Sequence, residues 1–278
     1  MAPVLTIGST VMLAERVEMP RFGLGTYKSL PGEEVEHSAR FALTHGYRLI
    51  DTASLYDNEE GVGAAVRASG LSRDQLFVTT KLWNDDQGYE RTREAFDLSL
   101  SKLGTGYVDL YLIHWPMREH LKGTWRAMEE LRAEGRTRAI GVCNFLRPHL
   151  EELLRIADVP PALNQFEFHP WLQQPELQAY MASNRITLQA WAPIMRGRVS
   201  EIAELISIGG VHGKSPAQIA IRWVLQKGYS AIPKSVHDAR IAENADVFDF
   251  ELTEDQMATI DSLDRGHRLG KDPHTYVW

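Results

Sequence analysis

The stretch VDLYLIHWP, residues 108–116, ends a run of aliphatic and aromatic residues with a histidine, His114. Such a run is typical of a buried β-strand, and the polar residue comes where the strand should end. The stretch LFVTTKLW, residues 76–83, has the same form and carries Lys81 near its end. If both strands belong to one parallel barrel, their ends lie on the C-terminal face, where such barrels carry out their chemistry.

A third stretch, LIDTASLYDNE at residues 49–59, adds Asp51 and Tyr56. A carboxylate, a phenol, an ammonium and an imidazole that converge on one face form an acid–base group. The phenol of Tyr56 could give a proton to a developing alkoxide, and Lys81, held by Asp51, could lower the pKa of that phenol toward neutral. Taken singly, the four residues also fit structural roles: a packed aromatic, a structural histidine, a solvated lysine and a turn-capping aspartate.

Strand-like and helix-like patterns alternate along the chain. An N-terminal hairpin is predicted at residues 4–7 and 11–14. Strand-like runs follow near residues 22–27, 48–53, 76–82, 108–115, 138–144, 162–168, 187–192 and 230–234. Strands that alternate with helices imply a parallel sheet, and eight such units favour closure. The predicted fold class is α/β, a (β/α)8 TIM barrel with an N-terminal β-hairpin and extra helices after the last strand.

Helical patterns lie between these strands and after the last one. They cover residues 33–45, 59–68, 91–103, 124–134, 148–156, 175–182, 215–226, 238–245 and 254–263. Two of these helices have recognisable starts: Ser215 precedes Pro216, and Thr253 precedes Gln256 at the spacing of a capping box.

Composition favours a single domain over residues 1–278, because 44% hydrophobic residues can build a large core. The formal charge of −7 and the pI near 5.8 argue against a nucleic-acid partner. The single cysteine, Cys143, excludes an internal disulfide, and the Met1 region lacks the pattern of a secretion signal. No stretch approaches the roughly 20 apolar residues of a membrane helix. A cytoplasmic protein without a membrane partner is therefore predicted.

Seven motifs together resemble those of the aldo-keto reductases. They are GLGTYK (residues 23–28), DTASLYDNEEGVGAAV (51–66), TTKLW (79–83), DLYLIHWP (109–116), IGVCNF (140–145), NQFEFHP (164–170) and IPKSV (232–236). The resemblance runs in order from about residue 3 to residue 265. In length and in its short loops, the chain resembles the bacterial reductases of 2,5-diketo-D-gluconic acid and small dicarbonyls. It implies an NADPH-dependent reduction of aldehydes or ketones to alcohols, with NADPH/NADP+ as cofactor, a small-molecule carbonyl substrate and a monomeric state.

The resemblance also implies a role for each residue of the acid–base group. Tyr56 is the general acid, Lys81 and Asp51 adjust its acidity, and His114 orients the carbonyl oxygen. The implied substrate-binding residues are Trp83, His114 and Trp115. The chain has no HExxH motif and no cysteine pair with zinc spacing, so no metal is expected.

The usual dinucleotide-binding glycine motif is absent. Gly61-Val62-Gly63 has no strand directly before it, and Val66 stands where the third glycine would be, which favours a close-packed helix face. Phosphate binding is expected instead after the eighth strand, where a helix begins beside Lys234 and Arg240. The alternative is that Lys234 and Arg240 are simply solvated surface charges.

The set of residues that the resemblance assigns to the cofactor comprises Gly25, Thr26, Tyr27, Cys143, Asn144, Gln165, Trp191, Lys234, Ser235, Val236, Arg240, Glu243 and Asn244. At one end, Lys234, Ser235 and Arg240 would hold the adenosine 2′-phosphate. Two cations around this dianion would favour NADPH over NADH, which has a hydroxyl group in its place. Asn244 would bind the adenine, and Glu243 would make a lid contact.

At the other end, Asn144 and Gln165 would hold the nicotinamide carboxamide, because amide side chains offer both a donor and an acceptor. Trp191 would stack on the ring. Cys143 departs from the serine that is usual in the family. A thiol is a weak donor, so the alternative that Cys143 is a small buried hydrophobe is favoured.

Two other functional classes stay open at this point. One is a barrel that binds nucleotide as a regulatory or scaffold subunit without significant turnover. The other is a phosphate-binding isomerase or aldolase, which would use a carboxylate base or a Schiff-base lysine. The tail, residues 267–278, is predicted to lie as a loop over the mouth and to influence substrate choice. Basic residues that could attract a substrate carboxylate, or be plain surface charge, are Arg196, Arg198, Arg268 and Lys271.

Overall fold

The N-terminal hairpin is present but lies later in the chain than predicted. The computed structural model describes residues 4–13 and 16–275. Strand β1 (Thr10–Met12) pairs antiparallel with β2 (Glu18–Pro20). The predicted strands at residues 4–7 and 11–14 were therefore displaced by several residues.

A turn explains the displacement. The Ser9 N–H donates to the Thr6 carbonyl (2.9 Å), so the chain bends where the first strand was predicted to end. Ala14, the last residue of the predicted hairpin, lies outside the described residues. Leu13 and Met19 are buried among residues from the starts of the barrel strands, so the hairpin covers the N-terminal end of the barrel.

Eight parallel strands form the main sheet, as the alternating pattern predicts. They are β3 (Leu24–Gly25), β4 (Leu49–Asp51), β5 (Phe77–Leu82), β6 (Val108–Ile113), β7 (Thr137–Cys143), β8 (Leu163–Glu167), β9 (Thr187–Trp191) and β10 (Ser230–Ala231). Each strand pairs with the next in sequence. This order is that of a (β/α)8 barrel.

Contacts between the first and last strands close the barrel. Parallel bridges join Phe22 to Ala231 and Gly25 to Lys234, and the Gly23 N–H donates to the Ala231 carbonyl (3.0 Å). A Cβ at Gly25 would lie 2.9 Å from the Ile232 carbonyl oxygen. Glycine is therefore needed where the two strands approach most closely.

Ten helices lie within the described part of the chain. They are α1 (Glu33–Thr44), α2 (Glu59–Ala68), α3 (Tyr89–Leu103), α4 (Leu121–Ala133), α5 (Arg147–Leu154), α6 (Pro175–Ser183), α7 (Ala203–His212), α8 (Pro216–Gln226), α9 (Asp238–Ala245) and α10 (Glu254–Asp261). Of the helices that residues 4–13 and 16–275 form, none has the length and apolarity to cross a membrane. The predicted caps are present: Ser215 Oγ accepts from the Gln218 N–H (3.4 Å), and Thr253 Oγ1 accepts from the Gln256 N–H (3.2 Å).

Helix α7 was not predicted. Its sequence contains the pair Gly209-Gly210, which normally disfavours a helix. A Cβ at Gly209 would lie 2.3 Å from the Lys214 carbonyl oxygen. The glycine therefore allows the loop before α8 to pack on the helix, and this tertiary contact outweighs the local preference.

Alternation along the strands selects the side chains that point into the barrel. On β5, Phe77 belongs to the cluster inside the barrel, while Val78 and Leu82 pack outward against the helices. Lys81 shares the parity of Phe77, so it points inward at the C-terminal end. The same parity brings to the inner C-terminal rim Asp51, His114, Cys143, Gln165 and Trp191.

Candidate active site

A buried ion pair lies at the C-terminal face of the barrel. Lys81 Nζ donates to Asp51 Oδ1 (2.5 Å) and to the Thr52 carbonyl (2.9 Å). The same nitrogen lies 3.4 Å from Tyr56 Oη. The second carboxylate oxygen of Asp51 accepts from Gln165 Nε2 (2.7 Å). The three donors of the ammonium are thus directed at a carboxylate, a carbonyl and a phenol, and the predicted group of Asp51, Tyr56 and Lys81 lies together.

Tyr56 belongs to a short 3₁₀ turn, Ser54–Tyr56, and not to a strand end. The Ser54 hydroxyl fixes this turn by donating to the Lys81 carbonyl (3.0 Å). The Tyr56 ring makes an edge contact with the His114 ring (5.5 Å between centroids) and lies 5.1 Å from the Tyr27 ring. The phenol is therefore held between β4, β5 and the loop after β6.

The electrostatics of Tyr56 differ from the prediction. Burial raises the pKa of Tyr56 well above its ordinary value, and the negative charge of Asp51 raises it further. The Lys81 ammonium favours the phenolate, but it does not bring this pKa toward neutral, because burial and the charge of Asp51 against the ammonium outweigh it. Burial also raises the pKa of Asp51, and the charge of Lys81 opposes that rise. Tyr56 is thus a protonated phenol at neutral pH.

His114 is a neutral, buried imidazole. Burial lowers the pKa of His114 well below its ordinary value, and the charge of Lys81 lowers it further. Its Nδ1 has no hydrogen-bond partner among the described residues. The ring also contacts the Trp83 ring edge-on (5.3 Å). Since His114 lines the cleft, its neutral ring can offer a hydrogen bond to an oxygen there.

Amide side chains continue the network across the barrel. Gln165 Nε2 also bonds to Gln189 Oε1 (2.7 Å). Asn144 donates from Nδ2 to the His114 carbonyl (3.0 Å) and accepts from Trp191 Nε1 (2.9 Å). The two amides that were predicted to hold a carboxamide thus form hydrogen bonds within the site. Gln165 bonds to Asp51 and Gln189, and Asn144 bonds to His114 and Trp191.

Cys143 lies between the two amides. Its Sγ is 3.2 Å from Asn144 Nδ2 and 3.6 Å from Gln165 Oε1. Burial raises the pKa of the Cys143 thiol, so it stays protonated and unreactive. The thiol therefore bridges Asn144 and Gln165 as a weakly polar buried group.

A cleft of about 1290 Å³ opens above this network. Predicted site residues that line it are Gly25, Tyr27, Asp51, Tyr56, Trp83, His114, Trp115, Cys143, Asn144, Gln165, Trp191, Lys234, Ser235, Val236, Arg240, Glu243 and Asn244. Two predicted residues lie outside its lining. Lys81 is fully buried beneath Tyr56, and Thr26 is buried with its hydroxyl donating to the Asp51 carbonyl (3.0 Å). Thr26 thus supports the strand that carries Asp51.

The far end of the cleft carries two cations. Lys234 follows β10, and Arg240 lies in the first turns of α9. Over residues 4–13 and 16–275, neither side chain forms an ion pair with a carboxylate. Burial lowers the pKa of Lys234, and the charge of Glu34 opposes this. Two cations that form no ion pair within the described residues make this end suitable for an anionic group.

The basic residues predicted near the mouth are divided by the structure. Arg196, Arg198 and Lys271 line the cleft, whereas Arg268 donates to Gln174 Oε1 (3.3 Å). Arg198 pairs with Glu201 (3.0 Å), which reduces its availability for a substrate.

Three segments line the cleft without having been predicted as cofactor or catalytic residues. They are parts of the loop 192–201 after β9, residues 215–217 at the start of α8, and residues 269–271 of the tail. The loop contains Ala192, Met195 and Arg196 with positive φ, a conformation that no local sequence pattern predicts. The cap at Ser215 indicated a helix start rather than a binding site, whereas the tail and Arg196, Arg198 and Lys271 were predicted to lie near the mouth without a cofactor or catalytic role.

Comparison with known proteins identifies the family. The model of the Aldo/keto reductase family matches residues 21–265. The chain therefore belongs to the aldo-keto reductase family of oxidoreductases.

Proteins similar to this chain include two bacterial relatives and one solved structure. Glyoxal reductase of Bacillus subtilis is 50% identical, over 96% of this chain and 97% of that protein. A putative methylglyoxal reductase, DkgA of Salmonella typhi, is 47% identical, over 92% of this chain and 93% of that protein. The structure of a Gox0644 mutant in complex with NADPH superposes with a TM-score of 0.93 at 40% identity, covering 98% of this chain and 99% of that one.

Proposed function

We propose that this protein, as one barrel domain over residues 1–278, is an NADPH-dependent carbonyl reductase. Its substrates are small dicarbonyls or keto-sugar acids, which it reduces to alcohols. The observation that carries the proposal is the hydrogen-bonded group of Asp51, Lys81 and Tyr56 at the floor of the cleft. The relatives named glyoxal and methylglyoxal reductase support small dicarbonyls as substrates.

The cleft fits the cofactor at its cationic end. Lys234 and Arg240 present two positive charges without ion-pair partners in the described part of the chain, which suits the 2′-phosphate of NADPH and not the hydroxyl of NADH. Ser235 and Asn244 lie buried beside them and complete a polar wall. The volume of about 1290 Å³ exceeds the ~300–1000 Å³ of an ordinary ligand pocket, as a dinucleotide and a substrate together require.

At the other end, Asn144, Gln165 and Trp191 would hold the nicotinamide. A carboxamide that binds Asn144 Oδ1 would compete with the Trp191 indole N–H, which donates to that oxygen at 2.9 Å. Cys143 supports the two amides instead of offering a strong donor of its own. When bound, NADPH supplies a hydride to the carbonyl carbon of the substrate.

Side chains of the barrel would supply the proton and stabilise the charge that its transfer leaves. Because burial keeps Tyr56 protonated, its hydroxyl can donate to the carbonyl oxygen as negative charge develops there. Once the proton leaves, the Lys81 ammonium at 3.4 Å stabilises the phenolate, and Asp51 holds that ammonium in place. The neutral His114 ring orients the carbonyl oxygen with a hydrogen bond.

Loss of the near-ultraviolet absorbance of NADPH on addition of methylglyoxal to the purified protein tests this function. The reductase consumes NADPH only when the dicarbonyl is present. A regulatory or scaffold barrel would bind NADPH without consuming it. An isomerase or aldolase would convert its substrate without the nucleotide, and either result would overturn the proposal.

A further inference from the structure

Glu167 is a buried carboxylate that the proposed reaction does not use. It ends β8, and its side chain is fully buried. Oε1 accepts from the Leu269 N–H (2.6 Å) and from His169 Nε2 (2.9 Å), and Oε2 accepts from the Gly270 N–H (3.0 Å). Burial alone would raise the pKa of Glu167, but the hydrogen bonds from His169, Leu269 and Gly270 outweigh it and lower the pKa. The carboxylate is therefore charged and depends on the tail for two of its three donors.

Gly270, one of the two tail residues that Glu167 holds, also lies against Trp191. A Cβ at Gly270 would lie 2.6 Å from Trp191 Cη2 and 3.0 Å from Glu167 Oε2. The backbone at Gly270 thus fits between the carboxylate and the indole with no room for a side chain. Leu269, Gly270 and Trp191 all line the cleft.

The contact reaches the polar network through Trp191. Its Nε1 donates to Asn144 Oδ1, and Asn144 in turn donates to the carbonyl of His114. A shift of the indole would therefore change both the wall of the cleft and a hydrogen bond in its floor.

We propose that Glu167 is a positioning residue that clamps the backbone of Leu269 and Gly270 over Trp191 and so sets the width of the cleft. The inference rests on the proposed function for its effect on binding, since Trp191 is expected to face the nicotinamide. The clamp would affect the binding of both the dinucleotide and the small carbonyl substrate in that cleft.

The physical reason for a strong clamp is the cost of leaving a buried charge without donors. If the tail lifts, the carboxylate keeps only His169 until water reaches it. Hydrogen bonds to a charged acceptor are stronger than those between neutral groups. The closed tail is therefore favoured, and removal of the charge should release it while the barrel stays folded.

The test compares Glu167→Gln with the wild-type full-length protein. Glutamine keeps the shape but replaces one acceptor oxygen by an NH₂ donor, which would face a backbone N–H. Hydrogen exchange measured by mass spectrometry over residues 266–275 should be faster by at least about tenfold in the variant. The matched control is Glu176→Gln on the exposed surface of α6, which should leave this exchange unchanged.

The second measurement is of NADPH binding and of the kinetic constants for methylglyoxal. NADPH titrated by protein fluorescence should bind about five- to twentyfold more weakly to Glu167→Gln, and the KM for methylglyoxal should rise by a similar factor while kcat changes less than about threefold. If Glu167 had only a structural role, the variant would have a lower melting temperature without a rise in KM at nearly unchanged kcat. Unchanged tail exchange would overturn the clamp, and faster exchange with unchanged NADPH affinity and KM would overturn its positioning role.

Gly270→Ala provides a second variant should Glu167→Gln fail to fold. Its added methyl group pushes on Trp191 and on the clamp from the tail side, and the carboxylate stays intact. It should reproduce the loosened tail and the weaker NADPH binding. The exchange and the titration need no turnover, so a wild-type protein that fails to reduce dicarbonyls would count against the proposed function and leave the clamp to be judged by these two measurements.

Discussion

Three neighbours hold the Tyr56 hydroxyl at the floor of the cleft. The turn that carries Tyr56 is fixed to β5 by Ser54, and the rings of His114 and Tyr27 pack against the phenol. The hydroxyl lies 3.4 Å from Lys81 Nζ. A single oxygen is thus held where a proton can be passed to a ligand in the cleft.

Replacement of Tyr56 by phenylalanine removes that proton donor and little else. Turnover of methylglyoxal should fall by about two to four orders of magnitude, because general acid catalysis contributes roughly this much. NADPH affinity should change little, as measured by fluorescence titration. Tyr107→Phe, far from the cleft and packed against Arg73, is the matched control. Near-full turnover by Tyr56→Phe would mean that another group is the acid.

Arg240 gives a prediction about cofactor choice. Arg240→Ala should weaken NADPH binding by about one to two decades, since a charge-assisted pair contributes roughly 1.5–3 kcal/mol. NADH lacks the 2′-phosphate and should lose little. The dissociation constants of both cofactors are compared for the variant and for Arg155→Ala, which removes an exposed arginine at the end of α5. Equal losses for NADPH and NADH would show that Arg240 does not recognise the phosphate.

Among the elements, the strands could be predicted far better than the segments after them. The period of two along β5 and β6 decides that Lys81 and His114 point inward, and this pattern is visible in the sequence. Tyr56 was found because it lies only a few residues beyond β4. Thr26 lies outside the cleft lining, and from sequence a buried hydroxyl that donates to the Asp51 carbonyl cannot be distinguished from one that faces a ligand.

The tail is an irregular segment that we predict to influence specificity. From residue 264 to residue 275 it contains no helix or strand, and part of it lines the cleft. Truncation after Arg265 should raise the KM for the preferred substrate and flatten selectivity among carbonyl compounds. The melting temperature should stay within a few degrees, because water can hydrate Glu167 once the tail is gone. Residues 276–278 of the predicted tail lie outside the described residues.

A truncated protein that unfolds would show instead that the tail belongs to the core. A substrate profile that matches the parent would show that it has no part in specificity.

The clamp between β8 and the tail should depend on pH. The hydrogen bonds to Glu167 lower its pKa in the folded protein, so its stabilising contribution is complete above the unfolded value near about 4.3 and is lost as the pH falls through the folded value. As the pH is lowered from about 5 to about 3, the melting temperature of Glu167→Gln should therefore fall less than that of the wild type. Parallel losses in both proteins would show that the carboxylate is not stabilised in this way.

At the scale of the whole molecule, a buried ion network lies at the end of the barrel opposite to the proposed active site. Near the start of β6, the buried Asp109 accepts from Arg73 (2.7 Å), from Arg138 (2.8 Å) and from the Val78 N–H (2.9 Å). These bonds tie β5, β6 and β7 together at the end away from the cleft. Changes there should alter folding without altering the reaction.

Asp109→Asn should lower the free energy of unfolding by about 2–3 kcal/mol, somewhat less than for a wholly buried pair because Arg138 is partly exposed. Urea unfolding followed by circular dichroism measures this, and kcat/KM for methylglyoxal should stay within about twofold of the parent. Asp97→Asn, which breaks a surface pair with Arg136, is the control and should change stability by less than about 1 kcal/mol. A large loss of activity in Asp109→Asn at temperatures where it is folded would contradict the separation of the two ends.

The sequence by itself determined the eight strands, nearly all the helices and the inward-facing residues of the C-terminal rim. Each of these depends on local periodicity and on turn or cap residues only a few positions apart. Tertiary structure alone decided that Asp51 offsets the charge of Lys81 beside Tyr56, that Trp191 bonds to Asn144, and that Glu167 holds the tail. These contacts join residues from about 30 to about 100 positions apart, and their energies depend on burial and distance, which exist only once the barrel has closed.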